Sequence, residues 1–151
     1  MECLYTLLAF ALAFIIAQVW KMVSGLVTGR EQNRVLDFKA AVGFFFQSGG
    51  MPSGHTASLT AAAVYLGLTN GFGSGLFALA VSVWIIVVYD AIHVRYAVGI
   101  QGEALNKLLK QAKMKELPVE HGHNLMQVVV GALIGVGVGL LMFWLTAGVA
   151  W

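Results

Sequence analysis

The last apolar segment of the chain, residues 124–148, carries no charged side chain anywhere along its length. About 20 predominantly apolar residues suffice for an α-helix to cross the hydrocarbon core of a bilayer, so this segment predicts a transmembrane helix. Residues 4–20 and 74–92 are similarly apolar and predict two more. Residues 55–71 are less apolar, with threonine and serine in their first half. We expect this less apolar helix, the second along the chain, to pack inside a bundle with the other three.

The composition agrees with a membrane protein. Hydrophobic residues make up 59% of the chain and charged residues only 11%, whereas soluble domains are typically about 25% charged. The net charge of +2, without a basic face, gives no indication of nucleic-acid binding. Glu2 precedes the first apolar run and Lys21 follows it, the reverse of a secretory signal peptide, so the first helix is predicted to remain uncleaved. We expect a single all-α, membrane-embedded domain over residues 1–151, a bundle of about four transmembrane helices.

Two long connections, residues 21–54 and 93–123, contain every lysine and arginine of the chain. With four spans both connections lie on the same side of the membrane, and the positive-inside rule places them in the cytoplasm. The first connection includes the apolar run AAVGFFF, residues 40–46. This run is too short to span a bilayer and predicts an interfacial or re-entrant segment. The alternative, that it forms a further span, would change the topology.

The second connection contains a helical pattern. Apolar residues recur at three- and four-residue steps from Ile100 to Ala112, and Lys107, Lys110 and Lys113 fall largely on the opposite side. This pattern predicts an amphipathic helix lying at the membrane interface.

The unusual polar residues fall where the predicted helices meet the cytoplasmic face. They are Lys21 after the first helix, Ser53, Gly54 and His55 at the start of the second, Asp90 and Arg95 at the end of the third, and His121 and His123 before the fourth. Bundling the four helices would bring these ends together. The cations, the glycines and the histidines would then form an anion pocket.

The parts of this pocket suit a phosphate. In GGMPSGHTA, residues 49–57, proline and serine directly precede a helix. The first N–H groups of a helix lack intrahelical partners and bind phosphate readily, and the glycines let the backbone approach a ligand closely. Arg95 can bind two phosphate oxygens at once, and Lys21 can act as a point charge. Two histidines can supply a nucleophile and a general acid at neutral pH.

Taken in order along the chain, these stretches resemble the type 2 phosphatidic acid phosphatase superfamily, which also contains the vanadium haloperoxidases. GGMPSGHTA is similar to its second signature. GHNLMQVVVGALIG, residues 122–135, resembles its closing signature, a histidine followed by a helix with VxxGxxxG. YDAIHVRYAVGIQGEALN, residues 89–106, and AQVWK, residues 17–21, resemble a divergent branch of small membrane proteins.

The resemblance implies a mechanism for this chain. His123 would attack phosphorus and become a transient phosphohistidine, and His55 would protonate the leaving alkoxide. Neither a metal nor another cofactor is implied, because cations and a helix end would neutralise the developing charge. The groups implied to bind the phosphate are Ser53, the N–H of Gly54, Lys21 and Arg95.

The chain departs from the wider superfamily at two positions. Leu117 stands where the superfamily has an arginine six residues before the nucleophile, and Gln127 stands where it has an acidic residue four after it. The divergent branch supplies its arginine from the middle segment, which favours Arg95, with Lys115 as a second candidate. Gln127 can orient the ring of His123 but cannot stabilise its imidazolium by charge.

Several residues also have simpler interpretations. Asp90 can orient a site group or form a salt bridge with Arg95, and His93 can face the interface or pair with Asp90. Lys21 can be an anchor that snorkels to the interface. His121 is interpreted as a loop histidine, because only His123 keeps the spacing to the closing signature.

We therefore expect a membrane phosphatase that acts on a lipid phosphate at the cytoplasmic face, with membrane lipids and a phosphate-bearing substrate as partners and no nucleic acid. The alternative is a catalytically inactive relative that binds lipid headgroups or acts as a scaffold, and a vanadate-dependent peroxidase is a weaker third interpretation. Small residues every fourth position favour close helix contacts, either within the monomer or in a homo-oligomer. They are Gly131, Gly135 and Gly139.

Overall fold

The protein is seen here as a computed structural model, which describes residues 2–27, 50–119, 122 and 124–148. These residues form five α-helices and one π-helical turn. The helices are α1 (Glu2–Val27), α2 (Gly54–Asn70), α3 (Gly75–Tyr89), α4 (Arg95–Gln111) and α5 (Leu125–Thr146), and the π-turn is Asp90–Val94. The predicted all-α class is confirmed. AAVGFFF, His121 and His123 lie outside the described residues.

Within the described part of the chain, three helical stretches are long and apolar enough to cross a membrane, namely Glu2–Gly25, Gly75–Gln111 and Leu125–Thr146. The sequence predicted about four, and α2 is the one that falls short. It is 17 residues long, and more than half of its residues are buried because α1, α3 and α5 all pack against it. The expectation that this helix packs inside the bundle is confirmed.

Small side chains bring α1 against α2. Ala9, Ala13 and Ala17 recur every fourth residue on α1 and are completely buried. They belong to a core cluster with Ala57 and Tyr65 of α2. Residues four apart lie on the same helix face, so the next position in this series, residue 21, also faces the interior of the bundle.

The glycines of α5 bring it still closer to α2. A Cβ placed on Gly131 would lie 2.5 Å from the carbonyl oxygen of Ser53, and one on Gly139 would lie 2.9 Å from that of Ala61. Gly135 is in equally close contact with the backbone of α2. The glycine stripe therefore packs within the monomer, and a second copy could use it only by displacing α2.

Hydrogen bonds between side chains also join α2 to α3 and to α5. Trp84 of α3 donates from Nε1 to Oγ1 of Thr60 on α2 over 2.8 Å. At the other end of α2, the hydroxyls of Tyr65 and Thr146 are 3.2 Å apart. Hydrogen bonds of this kind stabilise contacts between helices where the surroundings are apolar.

The outer surfaces of the bundle are apolar. Large side chains such as Leu7, Ile86 and Leu133 are exposed, and no residue of α3 is buried. A soluble monomer rarely exposes apolar surface on this scale, whereas lipid would cover it in a membrane.

The chain remains helical beyond the third predicted span. The π-turn connects α3 directly to α4, so residues 93–99 are helical and not the loop that the sequence predicted. The amphipathic helix itself is confirmed, with Arg95 as its first residue and Gln111 as its last.

Candidate functional site

The start of α2 forms the centre of the site. Ser53 is the N-cap of α2 and is completely buried. Its Oγ accepts hydrogen bonds from the N–H and the hydroxyl of Thr56, over 3.5 and 3.0 Å. Among the described residues, the N–H groups of Gly54 and His55 have no acceptor. The first turn of α2 therefore offers two backbone donors at the positive end of the helix dipole.

A second helix begins beside the first. Asn124 is the N-cap of α5, and its side chain forms a capping box with Gln127. The carbonyl oxygen of Gln127 also accepts a bond from the N–H of Ser53, over 2.9 Å. The N-termini of α2 and α5 are thus tied together, and two positive dipole ends face the same region. We call this the site end of the bundle.

Lys21 supplies a cation to the site end from α1. Only 8% of its surface is exposed, so it points into the bundle and does not snorkel outward. Its Cδ would lie 3.3 Å from a Cβ on Gly50, which has a positive φ of 79°. Any larger residue at position 50 would be strained and would press on the lysine stem. The sequence placed Lys21 at the end of the first helix, but α1 continues to Val27.

The π-turn positions a second cation. Arg95 donates from Nε to Oδ2 of Asp90 over 2.7 Å, so of the two interpretations of Asp90 the salt bridge is observed. Residues five apart in an α-helix are about 140° apart around its axis. Here the N–H of Arg95 bonds to the carbonyl of Asp90, an i to i−5 bond that places one side chain above the other. The bond uses Nε, and within the described ranges no acceptor bonds to the terminal nitrogens of Arg95, which can therefore bind an anion.

His55 lies where these charges meet. Its ring is in edge contact with Phe14, with ring centroids 6.4 Å apart, and it lies outside the three candidate spans. Burial lowers the pKa of its imidazolium, the cations Arg95 and Lys21 lower the pKa further, and the carboxylate of Asp90 opposes them. All three charged residues therefore act on one histidine.

Residues 4–138 match the divergent PAP2 family, PAP2 being type 2 phosphatidic acid phosphatase. The chain belongs to the divergent PAP2 family. It is also 31% identical to the uncharacterized membrane protein YuiD of Bacillus subtilis (strain 168), over 91% of this chain and 93% of that protein. No solved structure matches it.

Family membership and the apolar helices together make this divergent PAP2 protein an integral membrane protein of a phosphatase-like superfamily. The resemblance expected from the sequence is confirmed at the level of the family. The matched residues include α1 apart from its first two residues, all of α2 to α4, and α5 as far as Val138.

The site of this divergent PAP2 protein contains a residue that the sequence analysis missed. Gln18 is only 5% exposed, and its Nε2 lies 3.9 Å from the position of a Cβ on Gly54. It is thus next to the backbone that would receive the phosphate. The signal was present, because Gln18 is a polar residue within an apolar span, three residues before Lys21.

The remaining candidates from the sequence are Gln127, Lys115 and His93. Gln127 was expected to orient His123, and its Oε1 accepts the backbone N–H of Asn124 over 3.0 Å. Lys115 is not among the charges that shift the pKa of His55. His93 stacks on Tyr89, with ring centroids 4.5 Å apart, and does not pair with Asp90.

The chain neighbours of the predicted nucleophile are part of the site end. Gly122 is so close to α4 that a Cβ on it would lie 2.5 Å from the backbone nitrogen of Tyr96 and 2.9 Å from the carbonyl carbon of Arg95. Asn124, on the other side of His123, caps α5. The residues before and after position 123 therefore connect Arg95 to the first turn of α5.

Proposed function

We propose that this divergent PAP2 protein hydrolyses a phosphomonoester, with a lipid phosphate as substrate, through a phosphohistidine on His123. The observation that carries the proposal is the meeting of two helix N-termini, Lys21 and Arg95 around His55. Such an arrangement is complementary to an anion whose charge increases during phosphoryl transfer.

The reaction would proceed in two steps. An imidazole nitrogen of His123 forms a bond to phosphorus, the bond from phosphorus to the alkoxide oxygen breaks, and His55 gives its proton to that oxygen. Water then attacks the phosphohistidine and His55 takes up a proton from it, which releases inorganic phosphate and restores His123. Splitting one difficult displacement into two is the usual advantage of a covalent intermediate.

The electrostatics of His55 fit the role of acid. Burial lowers the pKa of His55, and Arg95 and Lys21 lower it further, which disfavours the imidazolium. A phosphate dianion bound between those cations would offset their effect and favour the imidazolium. The substrate itself would therefore help to charge the group that protonates its leaving oxygen.

A lipid is the natural source of the phosphate. The site end lies at the ends of apolar helices, where a bilayer places its headgroups. All described lysines and arginines lie on α1 near the site end, on α4 from Arg95 onward, or in the segment that directly follows α4. The positive-inside rule then favours a site that opens to the cytoplasm.

The direct test is phosphate release from phosphatidic acid in mixed micelles by the purified protein, with a chelator present. Wild type should release phosphate, and His123→Ala and His55→Ala should each abolish release. His93→Ala is the matched control, because His93 is exposed and stacked on Tyr89, and it should retain activity. Acid-labile labelling of wild type, absent in His123→Ala, would identify the phosphohistidine.

One observation favours the non-catalytic alternative, a headgroup-binding or scaffold protein. The residue four after His123 is an amide, and its oxygen already caps α5. If wild type released no phosphate yet bound phosphatidic acid vesicles in a Lys21-dependent manner, the protein would be a binder. Release that persisted in His123→Ala would contradict the proposed mechanism.

A further inference from the structure

The stretch from Gly99 to Asn106 binds nothing in the proposed reaction, although it belongs to the segment that resembles the divergent branch. In the structure, a later segment of the same chain packs against it. Residues 114–119 and 122, which we call the return segment, run back along α4 toward the π-turn. Three contacts hold this segment in register.

The first contact is a double hydrogen bond. The side chain of Asn106 donates from Nδ2 to the carbonyl oxygen of Leu117 and accepts at Oδ1 from its N–H, both over 2.8 Å. The amide thus binds both backbone groups of one residue, as a neighbouring strand would. An apolar side chain at position 106 could make neither bond.

The other two contacts are close approaches to glycines. A Cβ on Gly102 would lie 3.5 Å from the Cβ of Val119. Gly122 lies against the backbone at Ala91, Arg95 and Tyr96. Successive residues of the return segment therefore meet successively earlier residues of the helix, and the last contact is at Arg95 itself.

We propose that Asn106 is a positioning residue, which holds the return segment on α4 and so fixes the chain at Gly122 beside Arg95. We call the bonds between Asn106 and Leu117 the clamp. Because His123 is the residue after Gly122, the clamp would set the position from which the predicted nucleophile approaches the phosphate held by Arg95. This inference rests on the proposed function for its catalytic consequence, but not for its geometry.

The expected effect is on the rate of the chemical step. Misplacing a reacting group by about 1 Å can cost about a hundredfold in rate, so Asn106→Ala should lower kcat for phosphatidic acid by about ten- to a hundredfold. KM should change little, because Lys21, Gly54 and Arg95 still bind the phosphate. Asn70→Ala is the matched control, since the side chain of Asn70 donates to Oγ1 of Thr69 at the other end of α2, and it should behave as wild type.

A reversible cross-link separates positioning from misfolding. Cβ atoms 3.5–4.5 Å apart can be joined by a disulfide, so Gly102→Cys with Val119→Cys, in a Cys3→Ser background, should cross-link on mild oxidation. Adding Asn106→Ala should slow that cross-linking. Once formed, the disulfide should restore kcat to the Asn106→Ala protein, and reduction should remove the gain.

Each outcome decides a different claim. If wild type releases no phosphate but cross-linking still depends on Asn106, the proposed function fails and the clamp stands. If wild type is active and Asn106→Ala keeps its kcat, or cross-links as fast as wild type, the positioning role is overturned while the function stands. Activity that the disulfide cannot restore also overturns it.

Discussion

At the scale of single residues, the charges around His55 determine when it can act as an acid. Arg95 and Lys21 lower its pKa and Asp90 raises it. Arg95→Gln removes one of the two cations that lower the pKa of His55, so this pKa should rise. Asp90→Asn should lower it further. Both shifts can be read from ¹⁵N-histidine NMR spectra of the protein in micelles, with His55→Gln used to assign the signal.

Activity should follow the same signs. A general acid must be protonated in the free enzyme, so kcat/KM falls as pH rises through the pKa of His55. The pH at which kcat/KM falls should be higher in Arg95→Gln and lower in Asp90→Asn than in wild type. Lys107→Gln is the control, because Lys107 is not among the charges that act on His55. A pH that did not shift in either variant would remove His55 from the role of acid.

Lys113 is a residue whose backbone conformation, and not its charge, should govern stability. It follows α4 with a φ of 57°, the left-handed conformation that usually ends helices with glycine. For a side chain with a Cβ this conformation costs about 1 kcal/mol, so Lys113→Gly should increase the free energy of unfolding by about that amount. Lys110→Gly, inside the last turn of α4, should lower it by about 1 kcal/mol. Thermal unfolding in detergent would compare them, and equal effects would contradict this explanation.

The sequence predicted most of the site residues but not how they are arranged. Lys21, His55 and Arg95 could be named because charged or titratable residues are rare at the ends of apolar helices. The π-turn could not be predicted, because one extra residue in a helical turn leaves no periodic signal over so short a stretch. Without it, Asp90 and Arg95 would lie on different faces of one helix.

At the scale of helices, the contact between α2 and α5 depends on glycine. A methyl group on Gly135 would press against the backbone of Ala57, whereas one on Gly137 would meet nothing within 4 Å. Gly135→Ala should therefore lower the free energy of unfolding by about 1–3 kcal/mol, as overpacking does. Gly137→Ala should be neutral or slightly stabilising, because alanine favours helix. Equal thermal stability of the two variants would show that the stripe does not set the spacing.

The sequence was enough to predict which segments form helices. It was not enough to predict where α1 ends or that α3 continues through the π-turn into α4. Apolar length identified α1, α3 and α5, and periodicity identified α4. The same length criterion counted α2 as a span. In this helix the hydroxyls of Ser58 and Thr60 donate to carbonyls one turn earlier. That self-bonding lets a short, polar helix occupy the centre of an apolar bundle.

At the scale of the whole molecule, the parallel pairing of α2 and α5 is what creates the site. Both helices start at the site end, and α1 ends there after bringing Lys21 down its buried face. Short connections between helices usually give antiparallel neighbours, so a parallel pair needs a long path. That long path consists of α3, α4 and the return segment. It also places Arg95, the first residue of α4, at the site end.

The positive-inside rule orients this bundle with its site end toward the cytoplasm, which thiol labelling can test. Cys3 and Lys21 are 18 residues apart on one helix, so about 27 Å separates them along its axis, close to the thickness of the hydrocarbon core. If the site end faces the cytoplasm, the exposed thiol of Cys3 should react with a membrane-impermeant maleimide only in right-side-out vesicles. Lys110→Cys in a Cys3→Ser background should react only in inside-out vesicles. The opposite pattern would place the site on the other side of the membrane, where a cytoplasmic lipid phosphate could not reach it.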